Sequence, residues 1–300
     1  MEVRVTQQLT PVEQYQVMLI SALERQHSGR DALTDAVWAS PGHLHLLAEA
    51  IPPDPSGLVP GSEQPTGAPV IHGYAALDPS TDQVELTARP DSPGAVPALI
   101  RALLERAPHA TVWAKGQASA AATIGGAERR ELLILSRDLG PEQMAGPYAQ
   151  HNVQIRPFRP TDAAAWLLAN AAIFADLPDQ AGISAGDLQQ RLLAPWFDPE
   201  GLLIAEAAGG IVGFHWVKIS TNPFHGRISG EVHALGVLPS WRGSGLAAAL
   251  LHLGLGYIRA QGVTRSHLWV ERENRRALQF YRSADFALVD RDRLVMPDPS

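Results

Sequence analysis

Apolar and polar residues alternate in short runs along this chain, and the same succession of runs occurs twice. Val70-Ile71-His72-Gly73-Tyr74 in the first half echoes Ile211-Val212-Gly213-Phe214-His215 in the second. Residues 84–88 read as a strand, pass Pro90 and lead into a segment of helical period at 96–107. Residues 231–237 lead in the same way past Pro239 into a helix at 246–261. A short strand follows in each half, at 111–114 and 266–270, then a further helix and an apolar strand ending near Leu135 and Val295. The order in each half is strand, helices, three strands, helix, strand, helix, strand. That order predicts an α+β architecture, mixed rather than all-parallel, in two tandem copies.

Residues 139–152, LGPEQMAGPYAQHN, have the glycine, proline and polar content of a linker. The predicted division is 1–140, a linker at 141–152, and 153–300. The Pro-rich stretch at 51–69 falls between two strands of the first half and reads as a mobile loop.

A length of 300 residues suits two cores better than one. A net charge of −7 disfavours a broad attraction to nucleic acid or to an anionic membrane. The absence of cysteine excludes disulfides, thiolate-bound zinc and thiol nucleophiles, and fits a cytoplasmic protein. MEVRVTQQLTPVEQYQ carries no long apolar run, so neither a signal peptide nor a membrane span is expected. A monomer without a metal is expected, and His43 and His45, alternating with apolar neighbours, read as structural.

One segment carries chemistry. After the strand that includes Leu235, Gly236 and Val237 comes Leu238-Pro239-Ser240-Trp241-Arg242-Gly243-Ser244-Gly245, and an Ala/Leu helix starts at once with Leu246, Ala247 and Ala248. Glycines let backbone N–H groups turn toward an anion, the helix start adds unpaired donors, and Arg242 adds a charge. The pattern is neither a Walker loop nor GxGxxG. A tight strand-to-helix connection would use the same residues.

Arg242-x-x-Gly245-x-Ala247 resembles the pyrophosphate loop Q/R-x-x-G-x-G/A of the GNAT acetyltransferases. One helix further on, the segment from Trp269 to Phe286 is similar to the family's second motif: Asn274, Arg275, Arg276, Ala277, Leu278 and Gln279, then Tyr281 before a turn in which Asp285 replaces the usual glycine. WFDPEGL at 196–202, GFHWVK at 213–218 and GEVH at 230–233 narrow the resemblance to the mycothiol synthase family, tandem GNAT enzymes of actinobacteria. The resemblance implies two GNAT domains, each a mostly antiparallel twisted sheet flanked by helices. It implies acetyl-CoA as co-substrate and acetyl transfer to the amine of cysteinyl-glucosaminyl-inositol.

Acetyl transfer requires a base for the amine, polarisation of the thioester carbonyl and an acid for the leaving thiolate. The resemblance assigns the base to Glu231, read as opening its strand, and the acid to Tyr281. Backbone donors come from Leu235–Val237, and the cofactor cradle from Arg242–Ala248 and Asn274–Gln279. It places Asp35, Asp179, Lys218, Glu231 and Trp269 at the acceptor substrate, with Asp179 standing for a glutamate and Trp269 for a tyrosine. In the first half the matching loop is Asp91-Ser92-Pro93-Gly94-Ala95-Val96, without arginine and with an acid, so residues 1–140 read as a degenerate domain with a structural role. Two rival readings remain open at this point: a GNAT enzyme acting on a protein N-terminus or another small amine, and a non-catalytic acetyl-CoA-binding regulator.

Overall fold

A computed structural model of the chain describes residues 1–28, 33, 37, 42–50, 69–115, 126–140, 152–221 and 228–298, without the side chains of 24–28, 114–115, 178–179 and 221. The Pro-rich stretch 51–68, the expected further helix of the first half after residue 115, linker residues 141–151 and Asp35 lie outside the described residues.

The chain divides into two compact units, one of residues 1–133, 271–273 and 290–300, the other of 134–270 and 274–289. Unit 1 begins with β1 (Glu2–Thr6) and α1 (Pro11–Ser28). The start of α1 is set locally. Thr10 accepts from the Glu13 N–H at 3.3 Å while Glu13 accepts from the Thr10 N–H at 2.7 Å, a capping box with Pro11 at the first helical position. Next come β2 (Leu44–Ala50), β3 (Val70–Asp78), β4 (Gln83–Ala88), α2 (Ala95–Leu104), β5 (Thr111–Lys115) and β6 (Gly126–Asp138). Strands β1 to β4 pair antiparallel in sequence order, and β4 pairs β5 in parallel across the α2 crossover. Ala95, Val96, Leu99 and Leu103 of α2 are buried at helical spacing against Leu46, Val84 and Val112.

Unit 2 contains β7 (Gln154–Pro157), α3 (Ala163–Ile173), α4 (Pro178–Ala181), α5 (Ala185–Leu192), β8 (Leu202–Ala207), β9 (Gly210–Thr221), β10 (Ile228–Val237), α6 (Leu246–Ala260), β11 (Arg265–Glu271) and α7 (Arg275–Ser283). Its strand order is β11-β10-β9-β8-β7, antiparallel except for the parallel pair β10–β11. Residues of opposite parity serve opposite faces of the sheet. Ile204, Phe214 and Trp216 pack with Trp166 and Ile173 of α3 on one side, whereas Ala205, Ala207 and Val237 pack with Leu246 and Leu250 of α6 on the other.

The last strand, β12 (Ala287–Pro297), starts in unit 2 and finishes in unit 1. Asp292–Val295 pair antiparallel with β5, and Val295 joins the unit 1 core. Strand β6 passes the other way, and Ser136 donates to the Ser266 carbonyl at 2.9 Å in unit 2. The compact units therefore have different limits from a division made along the sequence at residues 140 and 153.

Candidate active site

Strand β10 organises the site. Glu231 is its fourth residue, not its first, because the strand begins at Ile228. In register it stands between Lys218 on β9 and His267 on β11, so Lys218, Glu231 and His267 form a row across three strands. Directly opposite side chains on adjacent strands share a face. Gly230 is turned to the other face, where a Cβ would lie 2.3 Å from Ile258 of α6.

Just past Glu231 the regular pairing ends on one side and shifts on the other. The β10–β11 ladder covers only Gly230 and Glu231, while the β9 ladder continues to Val237 opposite Gly213. Between Val232 and Ala234 the β9 register slips, leaving His233 as an extra residue. A bulge of this kind bends a strand, increases its twist and re-aims the side chains beyond it. Gly236 then falls on the α3 side, where a Cβ would lie 2.2 Å from Ile173. The result is a strand whose edge from Ala234 to Val237 is released from β11 pairing and only partly covered. Unpaired N–H and C=O groups on such an edge can bind an extended ligand as a neighbouring strand would.

That edge leads into the glycine turn. Residues 239–241 form one turn of 3-10 helix, and α6 starts at Leu246 with Gly245 as its N-cap. Gly243 and Gly245 both have left-handed backbones, φ 82° and 85°, a region that disfavours a Cβ. The Ser244 hydroxyl donates to the Trp241 carbonyl at 2.7 Å and closes the loop on itself. Arg242 is exposed. The side chains of Leu246 and Leu278 are core, so only their main chains can serve a ligand. Asn274 accepts from the Ala277 N–H at 3.0 Å, which makes it the N-cap of α7. Arg275, Arg276 and Gln279 are exposed on that helix, and Ala248 is exposed on α6.

The matching loop of unit 1 is built differently. Arg89 pairs with Asp91 at 3.3 Å, Ser92 is buried and bonded to His72 at 2.7 Å, and Gly94 is right-handed with φ −81°. An acid stands where an anion would approach.

Around Glu231 the walls are aromatic. Trp216 is fully buried, and its ring meets Trp196, Phe197 and His233 at 5.7–5.9 Å between centroids. The Lys218 ammonium lies 5.2 Å from the Trp196 ring centroid, within cation–π range. His233 Nδ1 is 2.8 Å from Glu231 Oε1, with 22% and 18% of the two side chains exposed. Burial opposes ionisation of Glu231, but His233, His267 and Lys218 outweigh it and hold the carboxyl below the usual glutamate range. Burial pushes the Tyr281 hydroxyl far above the ordinary tyrosine range, so it stays protonated at neutral pH. Among the described residues that hydroxyl has no hydrogen-bond partner, and its ring packs against Phe280 and Phe286.

The structure thus brings Glu231 and Lys218 together and sets Leu235–Val237 on the same strand as Glu231. Trp269 is 37% exposed and packs edge-on against His267, two residues before it on β11. No hydrogen bond or ring contact among the described residues ties Tyr281 to the Glu231 row. Asp179 lies on α4, its side chain outside the described set, and Asp35 is outside it altogether. Sequence reading missed His233, Trp196 and Trp216 as site groups. The signal for His233 was its place two residues after Glu231 on a strand, hence on the same face. No group of three or more metal-ligating side chains and no helix able to cross a membrane occurs among the described residues.

The Acetyltransferase (GNAT) family profile matches residues 170–286. A mycothiol acetyltransferase of Thermomonospora curvata is 38% identical over 242 residues, covering 77% of this chain and 80% of the relative. One of Frankia alni is 39% identical over 242 residues, covering 74% and 73%. In solved structures, a GCN5-related N-acetyltransferase from Sphaerobacter thermophilus has the same fold with a TM-score of 0.69 and 20% identity, covering 99% of this chain and 97% of that one. A tandem GNAT protein from the clavulanic acid biosynthesis pathway has a TM-score of 0.65 at 16% identity, covering 98% and 97%. With that identity spread over most of both sequences, and a GNAT fold along its whole length, the chain belongs to the mycothiol acetyltransferase family.

Proposed function

We propose that this acetyltransferase moves the acetyl group of acetyl-CoA to the cysteinyl amine of cysteinyl-glucosaminyl-inositol, with Glu231 as general base. The observation that carries the reading is the row Lys218–Glu231–His267, placed where β10 parts from β11 and just before the glycine turn. An ionised carboxylate there is ready to take a proton from an ammonium, directly or through one water.

The chain fits acetyl-CoA on three counts. The released edge at 234–237 offers main-chain partners to an extended arm, Gly243 and Gly245 leave the main chain open at two positions of the turn, and Arg242 with the α6 N-terminus supplies positive charge. When bound, acetyl-CoA supplies the activated acyl carbon. Arg275 and Arg276, exposed at the start of α7, extend the positive surface. Tyr281 retains its proton and is the donor assigned to the leaving thiolate. Lys218, Trp196 and Trp269 are assigned to the acceptor side, where flat indole faces suit the apolar faces of a sugar ring, and the family pattern assigns Asp179 and Asp35 to the same substrate. The acid and the missing left-handed glycines at 89–94 support a structural role for unit 1.

Replacing Glu231 with Gln tests the base. Turnover is expected to fall about 10²–10⁴-fold with acetyl-CoA affinity nearly unchanged, and the deficit should narrow as pH rises and more amine is already free. Turnover close to wild type at every pH would reject Glu231 as the base.

A further inference from the structure

The imidazole of His233 is not used by the reading above, yet the fold spends a bulge on it. His233 is the residue that β10 has in excess over β9, and its ring is held edge-on by Trp196 at 5.2 Å and by Trp216 at 5.7 Å. Two indoles on a partly buried ring fix its orientation. Nδ1 then sits 2.8 Å from Glu231 Oε1, and because a carboxylate only accepts, Nδ1–H is the donor. Oε2 has no hydrogen-bond partner among the described residues, and neither does Nε2 of the imidazole.

We infer that His233 is a positioning residue for the base: its Nδ1–H bond to Oε1 fixes the Glu231 carboxylate and leaves Oε2 as the oxygen that takes the proton of the substrate ammonium. This deepens the proposed role of Glu231 and rests on it. The step itself balances simply. The ammonium N–H bond breaks, the proton passes to Oε2, and the nitrogen lone pair is freed for attack on the acyl carbon.

Groups facing Glu231 come from three strands: His233 on β10, Lys218 on β9 and His267 on β11. Among the described residues, His233 is the one with a hydrogen bond to the carboxylate. Its neighbours on the other side are indoles, which neither titrate nor accept strongly, so the Nδ1–H bond is directed at Glu231 alone. Lys218 and His267 act on the carboxylate through space and should hold part of its acidity when His233 is changed.

Two substitutions separate the ring from the donor. His233→Phe keeps an aromatic ring between Trp196 and Trp216 but removes the N–H. His233→Asn loses the ring but keeps an amide N–H that can reach the carboxylate. The measurement is kcat/KM for the cysteinyl pseudodisaccharide against pH at saturating acetyl-CoA, with thermal unfolding as a check on folding. In His233→Phe the acid limb of the profile should move to higher pH by about one pH unit, because an opposite dipole or charge beside a carboxylate favours ionisation. In His233→Asn the limb should stay near the wild-type position. The dissociation constant for acetyl-CoA should not change in either. If the acid limbs of wild type, His233→Phe and His233→Asn coincide, the inference is overturned, whatever the size of kcat. Glu231→Gln, run alongside, keeps the two ideas apart. A normal profile in that variant rejects the base itself, whereas a large loss there with coincident His233 limbs rejects only the role of His233.

Discussion

His215 should make this protein acid-sensitive well above the range in which carboxylates titrate. Its side chain is 0% exposed, lodged between β9 and α6, with Nδ1 donating to the Leu250 carbonyl at 2.8 Å. Room for the ring exists only because residue 254 is glycine, where a Cβ would lie 2.0 Å from Nδ1. Nε2 is buried without a partner in the described structure. Burial pushes the His215 pKa down to about 4 against an ordinary value of 6.5, despite the opposing bond to Leu250. The unfolded chain therefore binds a proton that the folded chain refuses between about pH 6.5 and 4, and stability falls as pH drops through that window. Integrating the linkage relation from pH 7 to pH 5 gives a loss of about 2 kcal/mol, a large part of a typical 5–15 kcal/mol. The comparison is with His215→Asn, whose amide N–H can replace the Leu250 bond but does not titrate. Urea unfolding followed by tryptophan emission, which comes mainly from Trp166, Trp196, Trp216, Trp241 and Trp269 in the second unit, should show wild type losing about 2 kcal/mol more than the variant over this interval. Equal losses in the two proteins would refute the buried neutral imidazole.

Three further outcomes are expected. Gly245→Val forces a β-branched residue into a left-handed backbone at the start of α6; titration calorimetry should show acetyl-CoA affinity reduced about 10–100-fold, or ~1.4–2.8 kcal/mol, and an unchanged dissociation constant would remove this turn from the site. Calorimetry on the wild type should also give one acetyl-CoA per chain, since the equivalent turn of the first unit carries Asp91 and a buried Ser92 in place of an arginine and left-handed glycines, and two equal sites would contradict the structural role assigned there. Asp162 grips Arg156 through two bonds of 2.7 and 2.9 Å and accepts from the Arg159 N–H at 2.7 Å. Asp162→Asn should cost about 2–3 kcal/mol at neutral pH. Arg156 holds the Asp162 carboxyl below its ordinary value, so the wild-type advantage is full above about pH 4 and fades as pH falls through the lower folded value, which unfolding curves at pH 7 and pH 3 will show.

Much of the architecture was visible along the chain because it rests on local rules. Alternation marked the strands of each half, and glycines between an apolar strand and an Ala/Leu helix marked the turn at 242–245. What stayed hidden depends on contacts between residues distant in sequence. No residue type signals that β10 slips one position against β9 at His233, since a bulge is a relation between two strands. His215 read as one more member of a strand until Gly254 of α6 was found beneath it. Asn274 was legible as part of a family pattern, but its service as a helix cap needed the Ala277 N–H in place. The sequence division at 140 and 153 followed linker composition, which carries no information about strands that leave one unit and end in the other.

That passage of β12 into the first unit has a consequence for how the protein is made. Val295 packs in the core with Leu46, Val84 and Leu99, and Asp292–Val295 supply the neighbour of β5. A ribosome delivers those residues roughly 10–30 s after residue 133 at ordinary synthesis rates. During that interval β5 has an open edge and the core lacks one of its walls, although most of the first unit has already emerged. The unit that contains residues 1–133 is therefore begun before the other and completed after it, and a nascent chain stalled before residue 290 should expose it to proteases and chaperones in a way that a chain carrying β12 does not.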